Sequence, residues 1–187
     1  MANKLMLGLI SLTAVFTLSA CTEKNQDETS DMTKETQETN HAHMNHSSSS
    51  EVPEGLKVAE NPTFPIGSKA IMHTDHMEGM EGATATISGA YDTTVYSVSY
   101  TPTNGGAAVT NHKWVIHEEL EDVAEAPLQP GAEVTLNADH MEGMDGATAT
   151  IDSATDTTVY MVDYTSTTGE KVVYHKWVTE SELSAVE

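Results

Sequence analysis

The chain is written twice. Asp75-His76-Met77-Glu78-Gly79-Met80 returns as Asp139-His140-Met141-Glu142-Gly143-Met144, sixty-four positions later, and each copy runs on into Gly-Ala-Thr-Ala-Thr-Ile, at 82–87 and 146–151. The offset holds as far as a turn near Gly105 and Gly169, where the second copy is one residue shorter. It resumes at His112-Lys113-Trp114-Val115 and His175-Lys176-Trp177-Val178. A repeating unit of about 55 residues buries only a limited core, and whatever it folds into must be made twice.

The patterning within a unit is that of strands. Ala83-Thr84-Ala85-Thr86-Ile87 alternates, and Thr94 to Tyr100 sets Tyr96, Val98 and Tyr100 on one face, as its counterpart sets Tyr160, Val162 and Tyr164. Gly67 to His73 is a first candidate strand, and Val109 to Ile116 and Val172 to Thr179 are the last long ones. Thr103-Asn104-Gly105-Gly106 signals a turn. His117 to Glu121 and Glu180 to Leu183 each suit one helical turn. Short strands without a long helical period predict an all-β chain of two tandem small SH3-like barrels. The expected units are 61–123 and 124–187, with the prolines of Ala124 to Pro130 marking the junction.

The repeated hexad carries the chemistry. One imidazole and two thioethers within five residues are soft to borderline donors, suited to Cu(I), whereas zinc favours Cys, His and carboxylate and calcium takes oxygen. The expected ligands are His76, Met77 and Met80 in one unit and His140, Met141 and Met144 in the other, with Asp75 and Asp139 orienting the imidazoles. Gly79, Gly82, Gly143 and Gly146 leave the loop backbone free to wrap. The competing explanation is packing, because methionine fills irregular gaps in cores. His112 and His175 read first as core-edge histidines on a face shared with Trp114 and Trp177; completing the metal site is the alternative. His73 is matched by Asn137, so as a ligand it would make the two sites differ.

Before the repeats, residues 21–60 form an expected tether, rich in Thr, Glu, Gln, Asn and Ser and ending its polar run in four serines at 47–50. Such a composition cannot offset its ordering entropy by burial, so disorder is expected. Within it His41, His43, Met44 and His46 form a second donor cluster, read as flexible metal capture or as chance clustering in a polar tail. The first 20 residues read as a secretory signal: Lys4, an apolar run from Leu5 to Leu18, then Ser19-Ala20-Cys21. Leu18-Ser19-Ala20-Cys21 resembles the lipobox of bacterial lipoproteins. That resemblance implies a lipid-modified Cys21, and acyl chains would hold the protein on the outer face of the cytoplasmic membrane. Cys21 is the sole cysteine, so no internal disulfide is expected and metal must be held by methionine and histidine.

Twenty-nine acidic residues against eight basic ones give a net charge of -21. Nucleic acid and electrostatic binding to anionic membranes are thereby disfavoured as partners, leaving the lipid anchor as the membrane contact. Lipobox, acidic tether and tandem units of the form DHMxGMxGAxATI, DTTVY and HKWV together resemble the YdhK/CopL-type lipoproteins of Gram-positive bacteria. The resemblance implies copper binding at the cell surface that contributes to copper tolerance, with a copper exporter or other copper-handling protein as an implied partner. The departures, Tyr174 against Asn111 and the lost Gly-Gly turn, leave both hexads intact. The rival is a cell-wall or protein-interaction module built from paired SH3-like units. Enzymatic activity is not expected: the chain lacks the several His-x-His pairs and the cysteine ligand that a blue-copper electron-transfer site requires, and no nucleophile–base set stands out.

Overall fold

The computed structural model describes residues 47–186. Cys21, the signal segment and the donors His41, His43, Met44 and His46 lie outside the described residues. Nine strands follow in order: β1 (Lys57–Val58), β2 (Lys69–Met72), β3 (Thr84–Tyr100), β4 (Val109–Ile116), β5 (Leu120–Glu121), β6 (Glu133–Leu136), β7 (Thr148–Thr165), β8 (Lys171–Thr179) and β9 (Leu183–Ala185). The expected single helical turns are 3-10 turns at His117–Glu119 and Glu180–Glu182. The described fold is all-β with two tandem repeats, as the patterning predicts.

The two candidate strands at 83–87 and 94–100 are one. β3 runs unbroken for 17 residues and β7 for 18, each roughly 55–60 Å at about 3.3 Å per residue. They pair antiparallel along almost their whole length, and equivalent residues meet at the centre: Thr93 faces Thr157, with Asp92 opposite Thr158 and Thr94 opposite Asp156. The two copies are therefore related by a two-fold about that pair. Thr158 Oγ1 donates to Asp92 at 2.9 Å and Thr94 Oγ1 donates to Asp156, the same contact seen from each side.

Because β3 and β7 run past each other, each core takes strands from both copies. The first half of β3 pairs with β2 and with the second half of β7, which pairs with β8. β9 pairs with β2 on the far side, at Ala70 to Met72. The first core accordingly joins Ala70, Met72, Ala85 and Ile87 to Tyr160, Val162, Val178 and Leu183. The second joins Tyr96, Val98, Tyr100 and Val115 to Val134, Leu136, Ala149 and Ile151. A third cluster of Val95, Ile116, Val159, Met161 and Trp177 lies between strands of both copies. The segments 61–123 and 124–187 are units of sequence repetition, and the units of packing cross them.

Each half keeps the strand number of a small barrel. β8 and β9 stand at opposite edges of one strand set yet are separated only by Glu180–Glu182, so the sheet must curl back on itself. No pairing links β8 to β9, and the described sheet stays open there.

The expected tether to residue 60 ends earlier. The Ser48 amide donates to the Val173 carbonyl at 3.0 Å, the Val173 amide donates to Ser47 Oγ at 3.0 Å, and β1 pairs with β3. From Leu56 onward the segment has apolar side chains to bury: Ala59 and Phe64 join the first core.

Candidate functional site

Between β2 and β3 the hexad folds as a tight loop. The Gly82 amide returns to the Met72 carbonyl at 2.9 Å and the Ala83 amide to the Met80 carbonyl at 2.9 Å; Gly146 and Ala147 repeat both bonds at 2.8 and 3.0 Å. Three residues apart in this loop, the two thioethers part company. Met80 and Met144 are turned under the sheet and are 0% exposed, one in each core. They are packing residues, and the expectation that they are metal ligands is corrected: the bends that close the loop aim them inward. Met77 is half-buried and Met141 is 41% exposed.

Gly79 and Gly143 are required by a close approach. Both have positive φ, 80° and 77°. A Cβ on Gly79 would stand 2.9 Å from Ser166 Cβ, and one on Gly143 2.9 Å from Asn104 Cγ. Each loop thus lies against the β-turn of the other copy. The Thr167 amide donates to the Gly79 carbonyl, and the Thr103 amide to the Gly143 carbonyl, both at 2.9 Å.

The imidazoles are held across copies as well. His76 Nε2 lies 2.8 Å from Glu182 Oε1, and His140 Nε2 lies 2.8 Å from Glu119 Oε1. Each carboxylate is fixed by an indole: Trp114 Nε1 donates to Glu182 at 3.0 Å, and Trp177 Nε1 donates to Glu119 at 3.1 Å. Backbone amides complete the cradles, Thr179 N to Glu182 Oε2 at 2.9 Å and Ile116 N to Glu119 Oε2 at 3.1 Å. Burial alone would raise the Glu182 pKa; the hydrogen bond and charge of His76, with the Thr179 amide and the Trp114 indole, outweigh it and bring the carboxyl down to about 2. An ionised carboxylate only accepts, so His76 Nε2 is the donor in this contact and Nδ1 is the nitrogen left outside it. The imidazoles are thus oriented by glutamates of the opposite copy, and the expectation for Asp75 and Asp139 gives way; both are exposed, with Asp139 at the cavity wall.

Asn111 and Tyr174 sit in the left-handed region, at φ 52° and 53°. Register shifts in the β3–β4 and β7–β8 pairings flank the next residue, and this bulging breaks the alternation expected through His112 and His175. Asparagine tolerates that conformation; a tyrosine there is strained. Both histidines come to a cavity of about 280 Å³. It is lined by His76, Met77, His112, His140, Met141 and His175, three equivalent residues from each copy. Ser47 and Ser48 stand at its wall.

Two ring nitrogens in this group are buried without a hydrogen-bond partner, His76 Nδ1 and His112 Nε2. The His76 side chain is only 6% exposed. His112 and His140 ring centres lie 6.2 Å apart. Burial, then the neighbouring His140 and His76, lower the His112 pKa to about 4 against a weaker opposing pull from Glu119, so its imidazole is neutral at ordinary pH. A buried neutral imidazole at His112, beside further imidazoles and two thioethers, fits a soft cation. Among the described residues no three His, Cys, Asp or Glu side chains are already gathered closely enough to hold a metal ion; the donors line walls and do not yet meet. His73 is elsewhere, bound through Nε2 to Ser184 Oγ at 2.7 Å.

Fold and cavity together define a β protein of two strand-exchanged repeats with a histidine- and methionine-lined pocket between them. The family described as "Protein of unknown function (DUF1541)" matches residues 66–117 and again 130–180, and the chain belongs to it. It is 58% identical over 184 residues to "Uncharacterized protein YdhK" of Bacillus subtilis (strain 168), covering 98% of this chain and 90% of that protein. The crystal structure of a DUF1541 family protein, YdhK from Bacillus subtilis subsp. subtilis str. 168, aligns with a TM-score of 0.74 at 64% identity, over 78% of this chain and all 100% of that one. A solution NMR structure of the YdhK C-terminal domain from B. subtilis aligns at 0.62 with 67% identity, over 65% of this chain and 92% of that one.

Proposed function

We propose that the chain is a lipoprotein that binds Cu(I) on the outer face of the cytoplasmic membrane and contributes to copper tolerance by sequestering or buffering it. The observation that supports this most is the cavity lined by His76, His112, His140 and His175 together with Met77 and Met141, with His76 Nδ1 and His112 Nε2 buried and unpartnered. Imidazole and thioether are donors that Cu(I) accepts and that an exported chain can keep without a thiol. Anchoring rests on Leu18-Ser19-Ala20-Cys21.

The deciding experiment is an anaerobic Cu(I) titration of the chain from residue 22 onward against a competing chelator. Withdrawal of copper from the chelator is expected; a folded chain that leaves the chelator fully loaded would end the copper proposal. Cys21→Ser is expected to release the protein from membranes or leave it unprocessed, and unchanged membrane attachment and processing would remove the lipoprotein assignment.

A further inference from the structure

Building on that copper reading, we infer that the two repeats do not carry one site each but share a single centre, made by both copies and held in shape by crossed glutamate clamps. The two hexad histidines open on one cavity, not two. Met80 and Met144, which would complete separate sites, are locked in separate cores. What remains to each hexad is one imidazole and one thioether, too few for a closed site. Equivalent donors across the two-fold supply the rest.

The geometry suits a shared ion. When each nitrogen sits about 2 Å from an ion between them, two imidazole ring centres lie roughly 5–6 Å apart, and His112 and His140 stand at 6.2 Å. His76, whose Nδ1 is buried and unpartnered on a side chain 6% exposed, lines the same cavity.

Glu182 and Glu119 are positioning residues in this centre. By accepting from Nε2 they leave Nδ1 of His76 and of His140 as the donor atom. Each clamp pairs a histidine of one copy with a glutamate of the other, so neither repeat can present its imidazole alone.

The test uses the chain from residue 22 with His41, His43 and His46 changed to Ser and Met44 to Leu, so that the arm contributes no donors. Titration with Cu(I) against a chelator is expected to end at one tightly held ion per chain. His76→Ala and His140→Ala are each expected to lower affinity about 100-fold or more, leaving no ion at the parental affinity. A variant that keeps one ion at parental affinity, or a parent that takes two equivalent ions, overturns the shared centre and leaves copper binding standing. A parent that takes none overturns both. The clamps are read without metal: nitrogen-15 spectra of the imidazoles should show His76 and His140 protonated at Nε2, and Glu182→Gln should mix the His76 tautomers while the chain stays folded. Nδ1-protonated rings in the parent would overturn the positioning role.

Discussion

Met77 and Met80 are three residues apart in one loop and belong to different environments. Met80, with its equivalent Met144, is wholly enclosed by core side chains; Met77 and Met141 stand at the rim of the cavity. The same residue type, repeated at the same spacing in both copies, therefore does two jobs. One thioether anchors the hexad loop to the core beneath it, and the other stands at the cavity that His76 and His140 line. Counting the residues of the hexad overstates by half the methionines that reach the cavity. Direction within the loop, not proximity in sequence, decides which sulfur can reach an ion.

The strongest break of that comparison is truncation. Met80→Ala or Met144→Ala should cost about 2–5 kcal/mol in denaturant unfolding, the usual range for emptying a filled core position. Met77→Ala and Met141→Ala should cost under about 1 kcal/mol, since neither is enclosed. Equal losses at all four positions would erase the distinction.

Gly79→Ala and Gly143→Ala come next. Each adds a Cβ at positive φ against the opposite copy's turn, and a cost of about 1–3 kcal/mol is expected in the same unfolding measurement. A neutral outcome would mean that the loops are not clamped by those turns.

Methionine-to-leucine swaps sharpen the comparison at nearly constant volume. Met77→Leu with Met141→Leu should weaken Cu(I) binding about tenfold or more while stability holds; Met80→Leu with Met144→Leu should leave Cu(I) affinity unchanged. Loss of affinity from the core pair alone would return those sulfurs to the site.

The last break is in pH. His112, lowered to about 4 in the folded chain, takes up a proton more readily when unfolded. Its contribution to metal-free stability is constant above the unfolded value near 6.5, falls as pH drops toward 4, and levels off below. At pH 5.5 the loss is about 1 kcal/mol. Glu182, depressed to about 2, adds a loss of the same sign that begins as pH falls through its unfolded value near 4.5 and continues to about 2. His112→Asn should remove the first phase in unfolding measurements between pH 7 and 4 and leave the second; an undiminished first phase would assign it to another group.

The strand class, the repeat and the buried faces were legible because they are local: Tyr96, Tyr100, Tyr160, Tyr164 and Trp177 are buried, and Trp114 is partly buried, as alternation predicts. The hexad histidines were legible as a cluster. Strand exchange was not, because a period of two tells which way a side chain points and nothing of which strand lies alongside. The segment Ser88 to Thr93, with its glycine, resembled a break between strands, yet it is the stretch where β3 crosses from one core to the other. Glu119 and Glu182 were hidden in a strongly acidic chain, where a carboxylate most often means a solvated face. The signal available was positional: Glu119-Leu120 and Glu182-Leu183 fall at the same place in both copies, whereas neighbouring acids do not all keep their register. His112 and His175 stayed between core edge and metal site for a different reason. Their strand bulges at Asn111 and Tyr174, and a bulge voids alternation from that residue on.

The exchange of strands has a consequence for how the molecule comes into being. The core that begins with Ala70 and Met72 is closed by Leu183 on β9, more than a hundred residues further along the chain. Domains that fold as they emerge complete themselves from the N-terminus forward. Here the leading repeat has no finished interior to offer until the last strand of the trailing one arrives. Neither half can serve as a template for the other, and maturation should register as one late, concerted event with no stage in which a first repeat stands complete.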